Sequence, residues 1–320
     1  MSYIPALGMV DIPPLQQQDG RSKRLIRDRG RGVAIPDDIA VIDTMIGLPS
    51  VDRRDWQESM AAVLRDKGSR GFTHPAGYMF KHTPDVQRDA DSIDRLLFEM
   101  DRFGIERGLI PVNLDDDLHV RALREHPDRL SGSLEVDPNR GMEAVRDLRR
   151  AVEGYGIKAA QFFPAGKNPP VPIDDRRAYV IYATCVDLDI PVFVQGGVPG
   201  PRLPMAAQHP GLVDEVCYDF PDLRFVFRHG CEPWVALTVK LLLKWPNLYY
   251  STTAFAPRYY PREIIDYANT RGADKVIYGG YYPWGFELER IFRELEQVDF
   301  RDDVWPKFLH DNAARVLGLA

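Results

Sequence analysis

From residue 39 onward the chain alternates between two hydrophobic periods. Short β-branched and apolar runs, IAVID, ERGLIPV, RLSGSLEV, GIKAAQFF, IPVFVQ, LRFVFRH, NLYYST and KVIYGG, are separated by longer stretches in which apolar residues recur every three to four positions. The short runs read as buried strands and the longer stretches as amphipathic helices. The helical segments are DSIDRLLFEMDRFG, LHVRALREHP, GMEAVRDLRRAVEGYG, DDRRAYVIYATCVDLD, WVALTVKLLLKWP and PREIIDYANTRG, many closing on the Gly or Pro that ends a helix. Strands alternating with helices in this way predict an α/β fold, a (β/α)8 TIM barrel, over residues 39–320. Residues 1–38 break the pattern. They are rich in Pro, Gln and Arg and cannot bury much apolar surface alone, which predicts an N-terminal extension packed on the barrel or on a partner subunit.

Composition narrows the function without naming it. A length of 320 residues suits one large barrel domain. The formal net charge of −6 is spread along the chain with both signs mixed, which argues against a nucleic-acid partner. Cys185, Cys217 and Cys231 are an odd, scattered set, which argues against a disulfide framework and a cysteine-ligated zinc and fits a reducing, cytoplasmic setting. No long apolar run marks a signal peptide or a membrane span. The expectation is a soluble protein whose partner is a small-molecule substrate.

In a TIM barrel the chemistry sits where the strands end. There the blocks LLFEMDRFGIERGLIPV, HPDRLSGSLEVDP, IPVFVQGGVPGPR, DLRFVFRHGCEPW, NLYYSTTAFAP, KVIYGGYYPWGFELER and FLHDNAARVLGL resemble, in order, the amidohydrolase-related family that includes aminocarboxymuconate semialdehyde decarboxylase and the resorcylate-type decarboxylases. The resemblance runs from about residue 39 to the C-terminus. It implies a divalent metal held by a His-x-His pair after strand one, a His after strand five and an Asp after strand eight. In this chain those positions fall on Met45 and Gly47, on Gln195 and on Tyr281. A thioether, a glycine, an amide and a phenol do not make that donor set. The expectation is therefore a site with no metal and no other cofactor, in which Gln195, Tyr281 and Met45 line a substrate pocket.

One family position survives. His229, closing LRFVFRH, matches the strand-six histidine that the resemblance assigns to acid/base work, although a histidine satisfied within the barrel fits the same position. Asp43 precedes the lost His-x-His pair and is read either as the carboxylate that orients His229 or as a loop cap. Cys231, two residues beyond His229, faces the same way if the strand continues, as a nucleophile or as a buried apolar filler. Glu232 is a further candidate base, and His74 with His82 a substitute metal pair. Tyr281, Tyr282, Trp284, Phe162, Phe163 and Phe193 suggest aromatic walls. Two functions follow: a metal-independent hydrolase or carboxy-lyase acting on a small carboxylated aromatic, lactone or related compound, or an inactive barrel that binds a ligand or supports a partner. The resemblance also implies a homodimer.

Overall fold

The computed structural model describes residues 39–48, 60–69, 76–80, 83–86 and 88–319. The predicted N-terminal extension, His74 and His82 lie outside the described residues. Eight strands form one parallel sheet in sequence order: β1 (Val41–Asp43), β2 (Ile105–Val112), β3 (Leu130–Glu135), β4 (Ile157–Phe162), β5 (Val192–Gln195), β6 (Phe225–Arg228), β7 (Leu248–Ser251) and β8 (Val276–Ile277). Each falls within or against one of the runs picked out by hydrophobicity. Around them lie α1 (Ser92–Arg102), α2 (Asp117–Glu125), α3 (Met142–Tyr155), α4 (Arg176–Asp187), α5 (Val213–Asp219), α6 (Val235–Lys244), α7 (Arg262–Ala268), α8 (Leu288–Leu295) and α9 (Asn312–Leu317). The helices α5, α8 and α9 lie outside the segments read as helical from the sequence. Local chemistry sets several helix ends. Asp116 and Asp175 accept the Leu118 and Arg177 amides at the starts of α2 and α4, and Gly156 ends α3 in the left-handed region.

The sheet closes between β8 and β1. Thr44 N–H donates to the Tyr278 carbonyl at 3.3 Å, Gly47 N–H to the Tyr282 carbonyl at 2.9 Å, and Ile46 bridges Tyr282 in parallel. Asp43 fastens the seam, its Oδ1 accepting from Met45 N–H at 2.9 Å and from Gly280 N–H at 2.8 Å.

Successive strand residues face opposite sides. One side packs against the helices. On the other, Ile42, Leu109, Ala159, Phe193, Val226 and Ile277 form a separate lumen cluster, which α9 joins through Ala313, Val316 and Leu317. Two residues further along the strands the lumen turns polar, with Thr44, Gln161, Gln195, Arg228 and Ser251 at the inward positions. Thr44 Oγ1 meets Ser251 Oγ at 3.2 Å and donates to the Tyr278 carbonyl at 2.7 Å, and Ser133 Oγ donates to Gln161 Oε1 at 3.2 Å. This polar layer is the floor beneath the mouth.

A Cβ at Gly280 would stand 2.5 Å from Asp43 Oδ2 and 3.0 Å from the Tyr278 hydroxyl. Gly280→Ala therefore forces apart the seam itself and should cost about 1–3 kcal/mol, the scale of overpacking. Gly154, within α3, has open space where its Cβ would lie, so Gly154→Ala should be neutral or stabilise by about 0.5–1 kcal/mol. Urea denaturation compares the two; equal stability of Gly280→Ala and the parent would show that the seam yields.

Candidate active site

Three strand ends turn through non-glycine residues in the left-handed region: His229 after β6 at φ 63°, Ala254 after β7 at φ 66°, and Tyr281 after β8 at φ 90°. Such a backbone costs roughly 1–3 kcal/mol per residue and persists only where the surroundings impose it. Here His229 N–H donates to Thr253 Oγ1 at 3.0 Å and Tyr281 N–H to the Met45 carbonyl at 2.8 Å. The turns bring the two side chains together, with ring centroids 5.2 Å apart and planes at 75°, an edge-to-face pair.

Both rings line a cavity of about 860 Å³ at the barrel mouth, as does Gln195. The strand-five, strand-six and strand-eight positions singled out in sequence thus converge. Asp43 and Met45 stand apart from the lining. Asp43 is wholly buried and its Oδ1 is committed to the seam, while Met45 is buried and serves through its backbone carbonyl. Aromatic walls are present but built only in part from the expected rings: Phe163 and Tyr281 line the cavity together with Phe80, Phe255, Tyr259 and Phe286. Phe162 packs beneath the helices and Phe193 in the lumen. Tyr282 bridges the seam, and Trp284 covers Gly47.

Cys231 does not face the cavity with His229. Two successive left-handed residues, His229 and Gly230 (φ 76°), end the extended backbone on which that expectation rested. Its thiol is fully buried, with Sγ 2.9 Å from where a Gly196 Cβ would lie, and burial pushes its pKa well above the ordinary range. That is a filler, not a nucleophile. Glu232 does reach the cavity, its Oε1 buried without a hydrogen-bond partner among the described residues and its carboxyl pKa pushed up by burial. Gln208 is similar: its amide nitrogen donates to the Gly197 carbonyl at 3.1 Å and its Oε1 has no partner among the described residues.

The four positions that the resemblance assigns to metal ligands do not fit a divalent ion. A Cβ at Gly47 would lie 2.2 Å from the Trp284 ring, so the indole occupies the space a histidine there would need. Tyr281, its pKa pushed up to about 12 by burial, stays a neutral phenol. Among the described residues no group of three or more His, Cys, Asp or Glu could hold a metal. What stands at the centre is Arg228. No sequence motif singles it out, although the two-residue period of FVFR places it inward with Val226. The residue is 3% exposed, and its guanidinium donates to Gln161 Oε1 and, at 3.4 Å, to the Thr44 carbonyl, and lies 4.8 Å from the Phe193 ring centroid. Burial lowers its pKa to about 10, so it remains charged. In strand register Arg228 pairs with Gln195.

The family model described as Amidohydrolase matches residues 35–319. Among solved structures, the uncharacterized TIM-barrel protein Bb4693 of Bordetella bronchiseptica is similar at 25% identity and a TM-score of 0.67, over 88% of this chain and 99% of that one. The 5-carboxyvanillate decarboxylase of Novosphingobium aromaticivorans, solved with manganese and 4-hydroxy-3-methoxy-5-nitrobenzoic acid, has 15% identity and a TM-score of 0.62, over 91% and 100%. The dihydroxybenzoic acid decarboxylase of Polaromonas sp. JS666, solved with manganese and 2-nitroresorcinol, has 16% identity and a TM-score of 0.60, over 88% and 97%. No curated protein matches the chain in sequence.

Asp43 yields a pH test. Burial raises its pKa from 3.8 to about 6 despite the opposing Gly280 and Met45 amides, the Tyr278 side chain and Arg228. Between about pH 4 and pH 6 the folded state holds the extra proton, so stability falls as pH rises through that window, by about 3 kcal/mol in all. Asp43→Asn keeps an acceptor for both amides and cannot ionise. Its stability relative to the parent should therefore rise from pH 4 to pH 7, read by urea denaturation at each pH; a constant difference would mean that Asp43 titrates in its ordinary range.

Proposed function

The chain belongs to the amidohydrolase family, and from that premise we propose that it is a metal-independent hydrolase or carboxy-lyase acting on a small carboxylated aromatic, a lactone or a related compound, with His229 as acid/base. The observation that carries this reading is the edge-to-face pair of His229 and Tyr281 in the mouth of an open cavity of about 860 Å³. A barrel retained only as a scaffold has no call for an open, aromatic-walled mouth or for strained backbone beneath two polar rings.

The residues divide the work by chemistry. Imidazole is the side chain suited to proton transfer near neutrality, and His229 moves the proton. The Tyr281 phenol and the Gln195 amide donate hydrogen bonds to an oxyanion or carboxylate at the floor. Arg228, below them, places a fixed positive charge where negative charge develops, and its field holds the Tyr281 pKa below what burial alone would give. For a lactone, His229 takes the proton of an attacking water and returns it to the departing ring oxygen. For a carboxy-lyase, the bond to the carboxylate breaks and His229 delivers the proton to the carbon left behind. Asp43 is a positioning residue, holding the turns that carry Met45 and Gly280. No helix among the described residues is long and apolar enough to cross a membrane; a homodimer accompanies this reading by family resemblance, and a reducing cytosol by the scattered, unpaired set of cysteines.

Screening carboxylated aromatics and lactones for CO2 release or ring opening should find a turnover that survives exhaustive treatment with EDTA. His229→Ala should lower that turnover by about 10²- to 10⁴-fold and shift stability by no more than about 1–2 kcal/mol, since one or two hydrogen bonds at a partly open mouth are lost. Activity restored only by added manganese or zinc, or unchanged in a folded His229→Ala variant, would remove the assignment.

A further inference from the structure

Two guanidinium groups stand on the cavity lining apart from His229. Arg290, in the first turn of α8, donates from Nε to Glu294 Oε1 at 2.9 Å and lies over the Phe286 ring with its Cζ 5.0 Å from the centroid. Arg258, between β7 and α7, has its Nε 3.7 Å from the same oxygen, donates its backbone N–H to Glu294 Oε2 at 3.5 Å, and lies over Tyr259 at 4.9 Å. Glu294 is buried, its side chain 8% exposed. One carboxylate thus answers two guanidiniums, which leaves the cluster with a net positive charge. The terminal nitrogens of both arginines have no partner among the described residues, while stacking on the rings and the Glu294 contacts fix the direction of each fork.

The remainder of the cavity gives this charge a direction. Glu232 is the one carboxyl among the described lining residues, and burial favours its neutral form. The described lining is therefore cationic, in a chain of net charge −6. From Arg290 an unbroken run of rings leads to the acid/base pair: Arg290 over Phe286 at 5.0 Å, Phe286 against Phe80 at 5.3 Å, Phe80 against Tyr281 at 5.7 Å, and Tyr281 against His229 at 5.2 Å. Guanidinium forks bind carboxylates in two parallel hydrogen bonds, and aromatic faces hold flat ligands.

We propose that Arg258 and Arg290 form a carboxylate-binding subsite, and that the ligand is a flat aromatic or conjugated acid lying along this wall, its carboxylate anchored on the arginines and its other end at His229. This rests on the function proposed above for which end reacts, and deepens it by naming the handle. The anchored carboxylate is not the group that departs. A substrate for carboxy-lyase chemistry would carry two carboxylates, and a lactone substrate one outside its ring.

Isothermal titration calorimetry of the full chain in low-salt buffer, with isophthalate, benzoate and neutral benzamide as probes, tests the subsite without any substrate. Both carboxylates should bind at least about 10-fold more tightly than benzamide, as expected of charge-assisted bonds. Arg258→Gln should weaken benzoate by about 10-fold. Arg290→Gln combined with Glu294→Gln removes the second fork without stranding a buried carboxylate, and a melting curve checks its fold; it should weaken benzoate similarly. Absence of carboxylate binding up to about 10 mM, equal binding of benzoate and benzamide, or unchanged binding in both arginine variants would overturn the subsite. Binding that follows the arginines while no compound is turned over would overturn the enzymatic reading and leave the subsite standing.

Discussion

A guanidinium held in the lumen of a closed barrel constrains everything above it. Arg228 is almost wholly buried, its partners are an amide oxygen and a backbone carbonyl, and its Nε has none among the described residues. Glu135 and Asp43 act on it only through space. A buried charge without an ion-pair partner is costly, and proteins keep such charges where a site uses them. The layer around Arg228 is shaped accordingly: Thr44, Ser133, Gln161 and Ser251 replace apolar residues at inward positions of neighbouring strands and bond one another. Were Gln161 apolar, the guanidinium would lose the side-chain oxygen it donates to.

The seam between β1 and β8 transmits this order to the mouth. Asp43 binds amides on both strand ends, Tyr281 hangs from the Met45 carbonyl, and the Tyr281 ring meets His229. Local strain at φ 63° and φ 90° is borne because each residue is fixed from a neighbouring strand end, so that neither can relax alone. The pairing of acid/base group and hydrogen-bond donor is thus a property of four adjacent strand ends, β6, β7, β8 and β1, and not of two independent loops.

The barrel was legible because strand and helix periods are repeated over many residues, and eight repeats leave little freedom in topology. His229, Gln195 and Tyr281 were legible through position, since each closes a strand and a barrel gathers strand ends at one mouth. What escaped has physical reasons. The facing of Cys231 depends on two successive left-handed residues, which nothing in HGC requires of His229. Arg228 hides beside a more conspicuous histidine and shows only through alternation along four residues. Arg258 comes from a different segment than the α8 pair Arg290 and Glu294, and their meeting follows from how α8 lies against the β7–α7 connection. Asp43 was weighed as an orienting carboxylate or as a cap, and its hydrogen bonds to the Met45 and Gly280 amides are of the second kind, extended across the seam to a second strand.

Under the proposed reading the cation at the site is an arginine and not a metal, which changes who must move protons. A bound divalent ion polarises substrate oxygens and, separately, makes hydroxide available near neutral pH by lowering the pKa of its water. A buried guanidinium can do the first through its fixed charge, but it has no acceptor and holds no water as a ligand that could ionise. Under the proposed reading the second task falls wholly on His229. That accounts for the combination seen at the mouth: the strand-six imidazole is present, Tyr281 beside it is kept neutral as a donor, and the cation lies out of contact with the cavity, where it biases charge without competing for the proton. An arginine inside the cavity would instead hold a carboxylate substrate at the reacting end. With Arg228 buried beneath and Arg258 and Arg290 on the lining beyond the rings, stabilising the charge that develops and anchoring the charge that persists become separate tasks.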